Sequence, residues 1–171
     1  MRKLFFLLLV LALSVGPAPA QDWIEYRPSG GGYRVEFPGK PDVSTRDVAS
    51  RTETIHLNMA IVERAKDTAF LTMHSQRSAN SIGLDPQSAL DQARNGAMRD
   101  PEHKLREETR LTVGGLPARR VVIDVPHKRL VTVALFVLGP DRLYQAIAVV
   151  PPGQEGSADV ERFLKSFAPV E

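Results

Sequence analysis

Two runs near the C-terminus restrict what this chain can fold into more than any other feature. "LVTVALFVL" spans Leu130 to Leu138, "LYQAIAVV" spans Leu143 to Val150, and "GPDR" joins them. Each is apolar at nearly every position rather than every second one, and the pair is rich in Val and Ile. Runs of this length are short for a buried helix and suit strands covered on both faces. Two such central strands predict a sheet that needs a layer packed on each side.

The rest of the chain supplies partners for that sheet. Tyr33, Val35 and Phe37 alternate with Arg34 and Glu36, which predicts an early strand with one buried face, stopped by Pro38. Trp23 to Arg27 reads as a lead-in or edge strand, and "GKPDVS" as a turn. Ile55, Leu57, Met59 and Ile61, then Ala69, Leu71 and Met73, alternate with more polar positions and predict a hairpin. Placing Met59 across from Met73 on its apolar side puts His56 and His74 together on the outer side. "KLREETRLTV" and "LPARRVVIDV" flank Gly114-Gly115, a two-residue hairpin signal because both turn positions can take φ > 0. Pro126 to Lys128 is a further turn.

Helix signals occur twice. Asp85 suits an N-cap, Pro86 the first helical position, and Leu90, Ala93, Ala97 and Met98 share one face before Pro101. Ser157 can cap a last helix in which Val160, Phe163, Leu164 and Phe167 form an apolar stripe. The predicted class is α+β, a mostly antiparallel β-sheet flanked by helices.

The order of these pieces is familiar: "W…Y", then "GGYRVEFPGKP", a hairpin, a helix, "LTVGGLPARR", "RLYQAIAV" and "FLKSF". From Trp23 to Phe167 the chain resembles the PsbP-like superfamily of small α/β/α sandwiches. That group includes the extrinsic protein of photosystem II, the yeast Ran-binding nuclear import factor and many exported bacterial proteins. The resemblance implies the fold. Its characterised members act as accessory proteins that bind partners without catalysis of their own, and none of their binding motifs is matched position by position.

The N-terminus predicts an export leader. Arg2 and Lys3 precede the apolar stretch Leu4 to Leu13, and Ala18-Pro19-Ala20 is a small-x-small cleavage pattern. Residues 1–20 are thus read as a signal peptide and 21–171 as one domain, periplasmic or secreted, with no membrane span after cleavage. The chain has no cysteine, so the fold relies on its core alone. Without Arg2 and Lys3, basic and acidic residues are equal in number. That balance argues against a nucleic-acid binder.

Candidate sites are few. Gly30, Gly31 and Gly32 precede a strand, the reverse of the strand–loop–helix order of a phosphate cradle, and read as a turn. His56 and His74 are the metal candidates and would need a third ligand. Arg110, Arg119 and Arg120 flank the Gly114-Gly115 turn. They would bind an anion or an acidic partner if they converge, or would be balanced by Glu107 and Glu108 if not. Trp23, Tyr26 and Tyr33 read as aromatics closing a core. There is no Gly-x-Ser-x-Gly, no His-Glu-x-x-His and no convincing acid–base pair in Glu107-Glu108 or Asp100/Glu102. The expectation is an exported accessory protein, not an enzyme and without a cofactor, that binds another protein or an envelope component. The alternative is a small-ligand or metal-binding module.

Overall fold

The computed structural model describes residues 22–49, 54–64, 67–78 and 81–170; the leader read in residues 1–20 lies outside them. Its centre is a seven-stranded antiparallel sheet. The strands are β3 (Asp42–Ala49), β4 (Thr54–Arg64), β5 (Thr68–Gln76), β6 (Lys104–Val113), β7 (Leu116–Val125), β8 (Leu130–Leu138) and β9 (Arg142–Val150). Their spatial order is β3-β4-β5-β9-β8-β7-β6. The two apolar runs are thus β8 and β9, with β9 in the middle of the sheet, and the expected α+β sandwich is what forms.

One face is covered by α2 (Ala158–Ser166) and by a small sheet of β1 (Ile24–Tyr26), β2 (Tyr33–Phe37) and β10 (Ala168–Pro169). Ser157 caps α2, accepting from the Val160 N–H at 3.5 Å. The stripe read from the sequence is the buried one: Val160, Phe163, Leu164 and Phe167 all enter the main core with Tyr33, Val35 and Phe37. Rings lock this layer: Phe37 and Phe70 both meet Phe163, and Tyr33 stacks on Phe167 at 5.2 Å. Trp23 and Tyr26 close its edge, half-buried.

The opposite face has a thinner cover, α1 (Pro86–Ala97). Asp85 caps it as expected, accepting from the Gln87 and Ser88 N–H groups. Only Ala89 and Leu90 of α1 are buried, against Val121 and Ile123 of β7 and Ala134, Phe136 and Leu138 of β8. No helix among the described residues is long and apolar enough to cross a membrane.

Gly114 and Gly115, at φ 56° and 80°, make the β6–β7 turn with Val113 opposite Leu116. The opening glycines also form a turn, Gly30 and Gly32 taking φ 67° and 73° ahead of β2, with no helix following.

Two expectations need correction. "DVS" begins a strand rather than ending a turn: β3 pairs with β4 along its whole length although every residue in it is exposed. The faces of the β4–β5 hairpin are also reversed. Met59 does stand opposite Met73. Yet the main core takes Ala60, Val62 and Phe70, together with Thr72, while Ile61, Leu71 and Met73 stay only half-buried on the α1 side. Apolar residues occur on both sides of this hairpin, so the packing of Phe70 on Phe163 and Trp23 decides which side faces in.

Candidate functional site

The most distinctive surface is the part of the α1-side face that α1 does not reach. Strand register builds it row by row. Met59, Met73 and Gln145 are aligned across β4, β5 and β9, and so are Ile61, Leu71 and Ile147. All stand on the same face as Phe136 and Ala134 of β8, which α1 covers. Because α1 packs on β7 and β8, these side chains have a wall on one side and, among the described residues, no second layer over β4 and β5. An open groove of about 800 Å³ results. Its floor is apolar, including Leu57, Met73, Leu143 and Ile147, and its α1 wall presents Ala93 and Ala97. The rim is polar, with Gln92 and Arg99 from the helix side and Gln76 and Arg77 from β5 and its continuation. An apolar floor inside a polar rim has the make-up of a contact surface.

The sequence does not reveal this groove directly. Its floor residues carry a strand-like signal that looks the same whether the face is covered or open. The available clue is length: α1 must end by Pro101, and twelve residues of helix cannot cover a seven-stranded face.

The groove wall is tied down by one of the three candidate arginines. Arg119 is completely buried between β7 and α1. Its guanidinium donates to Asp91 of α1, to Glu108 of β6 at 2.8 Å and to the Gln87 side-chain carbonyl at 2.7 Å. The Arg119 hydrogen bond, opposed by partial desolvation, holds the Asp91 carboxyl below the usual aspartate range. Arg120, the next residue on the strand, points the other way and donates to Glu161 of α2 at 3.2 Å. Arg110 stands opposite Arg119 on β6. The three therefore do not converge on one anion. Successive residues of a strand point to opposite faces, and the buried member already has its carboxylates, one of them Glu108.

His56 and His74 are placed by register as expected, with His74 opposite Asn58 and His56 diagonal to it. They are not, however, on the outer side of the hairpin. Both belong to the face that carries Phe70 and Thr72, and the His74 ring meets Tyr33 edge-on at 5.5 Å. They line a polar pocket of about 280 Å³ with Asn58, Arg77 and Arg142. His56 already binds Asp47 at 2.6 Å through Nδ1. Burial, reinforced by the Arg142 charge, holds His74 below the ordinary histidine value. A guanidinium beside the imidazole opposes a metal ion and suits an anion instead.

No protein-family model matches the chain, and no curated protein matches it in sequence. Solved structures do. The solution structure of cyanobacterial PsbP (CyanoP) from Synechocystis sp. PCC 6803 superposes with a TM-score of 0.60, covering 91% of this chain and 97% of that one at 10% identity. A protein of unknown function from Pseudomonas aeruginosa, PA94, described as a putative regulator, matches 78% of this chain and 85% of its own at 13% identity, with a TM-score of 0.45. The first likeness extends over most of both chains, and the fold of this chain is PsbP-like.

Proposed function

We propose that this chain is an exported accessory protein, without catalysis of its own, that binds another protein through the apolar groove beside α1. The observation that carries this reading is the half-uncovered apolar floor of Leu57, Met73, Leu143 and Ile147, framed by polar residues. The leader pattern at the N-terminus supports export, and the resemblance drawn from the sequence supports an accessory role. The reading is tested by affinity capture from a native envelope extract, using the wild-type chain and Met73→Glu. One protein retained by the wild type and lost from Met73→Glu, with the melting temperature of the variant unchanged, is expected. Equal retention by both chains, or no retained protein, would end it.

A second reading has its own observation: the polar pocket that places His56 and His74 beside Arg77 and Arg142. Its chemistry fits a small anion. A small molecule recovered with the wild-type chain and lost from Arg142→Ala would favour it over the first.

A further inference from the structure

We propose that Asp100, His103 and His127 bind one divalent transition-metal ion, zinc(II) by preference, where the end of α1 meets the β7–β8 connection. The three come from two turns. Asp100 and His103 belong to the tight turn that follows α1, in which the His103 N–H donates to the Asp100 carbonyl at 3.0 Å. His127 is the middle residue of the single 3-10 turn Pro126–Lys128 between β7 and β8. Folding stacks the two imidazoles, with ring centroids 6.0 Å apart and planes within 5° of parallel.

Hydrogen bonding sets which nitrogen of each ring is available. His103 Nδ1 lies 2.9 Å from the Ala97 carbonyl oxygen. A carbonyl only accepts, so Nδ1 carries the hydrogen and Nε2 of the neutral ring is a bare lone pair. His127 Nδ1 lies 3.1 Å from a Glu102 carboxylate oxygen, an ion-pair contact that favours a hydrogen on Nδ1 and leaves Nε2 as the ligand atom. Both Nε2 atoms lie 3.8 Å from one oxygen, Asp100 Oδ2. The other carboxylate oxygen, Oδ1, is occupied by the Glu102 N–H at 3.0 Å.

A separation of 3.8 Å is too long for a hydrogen bond. It is close to that of two ligands on a shared ion: donors 2.0–2.2 Å from zinc stand roughly 3.4 Å apart in a tetrahedron. Two nitrogens with bare lone pairs thus stand near one carboxylate oxygen, and a proton or a metal ion held among the three would relieve their repulsion. The surroundings resemble those of metal-bound imidazoles, with one Nδ1–H on a backbone carbonyl and the other Nδ1 facing a carboxylate. Two imidazoles and one carboxylate suit zinc or copper(II) rather than calcium or magnesium, which take all-oxygen sets. Three protein ligands leave a fourth position, and the exposed His127 turn opens it to solvent. The ion would staple the end of α1 to the sheet, independently of what the groove binds and apart from the His56/His74 pocket.

The test is calorimetric titration of zinc chloride into the tag-free, metal-free chain near neutral pH, with melting curves in parallel. One ion per chain and a melting temperature that climbs with added zinc are expected. Asp100→Asn and His127→Gln should each weaken binding at least tenfold while keeping the wild-type circular dichroism. Glu102→Gln, which only orients His127, should weaken it about tenfold, and His56→Gln should leave it unchanged. The proposal fails if zinc does not bind at millimolar concentration. It also fails if binding survives both Asp100→Asn and His127→Gln, or is lost in His56→Gln instead.

Discussion

Tyr33 shows how this core holds a polar atom. Its side chain is almost wholly buried, and its hydroxyl lies 2.7 Å from Thr72 Oγ1, itself fully buried on β5. Burial pushes the phenol well above its usual range, so the pair stays neutral. The two oxygens satisfy each other, which makes them interdependent. Tyr33→Phe leaves the Thr72 hydroxyl stranded, and Thr72→Val strands the phenol. Each is expected to cost about 1–2 kcal/mol. The double substitution removes both polar atoms and should cost clearly less than the sum, as urea unfolding of the four chains would measure. Strict additivity would show that the pair does not act as a unit. The same residue scale explains why Arg119 went unassigned to the interior. It lies in step with Val121 and Ile123 on one face of β7, so its burial follows from the alternation. An arginine next to a second arginine still looks like a surface residue until Asp91 and Glu108 are brought to it.

Among the elements, α1 depends most on a single side chain. Beyond Ala89 and Leu90, it is held by Arg119 and by Arg94, whose Nη1 donates to both Glu108 carboxylate oxygens at 3.0 and 2.9 Å. Arg119→Leu should destabilise the fold by about 3 kcal/mol, since it removes the partner of carboxylates arranged around a buried charge. Arg120→Leu, which loses only a partly exposed pair, should change it by at most about 1 kcal/mol. Thermal melts of the two variants make the comparison, and equal losses would contradict the assigned roles. Elements whose sequence carries its own burial pattern were legible: β8 and β9 by continuous apolarity, α2 by its stripe, and the β6–β7 turn by its glycines. β3 was not, because "DVSTRDVA" is exposed throughout and is a strand only by pairing with β4. Nor was β10, whose two residues pair with β2 from the far end of the chain. The candidate sites share that limit. His103 and His127 are unremarkable turn residues in one dimension, and the groove exists only because one helix stops short of the sheet's far strands.

At the scale of the whole molecule, the two faces of the sheet are guarded unequally. On one side Val160, Phe163 and Leu164 of α2 are all buried, each at roughly 1.5–3 kcal/mol. On the other, α1 buries Ala89 and Leu90. A protein opens first where it buries least. Backbone amides of α1 should therefore exchange with deuterium at least tenfold faster than those of α2, a ratio that native-state exchange read by NMR would give directly. Matched rates would mean that the Arg119 network compensates in full for the missing apolar contacts. The asymmetry also makes α1 a reporter. It is both the wall of the groove and the less deeply buried of the two helices, so anything seated on the floor beside it should suppress its opening. Slowed exchange along this helix, including at amides that no partner touches, would then register occupancy before the occupant itself is known.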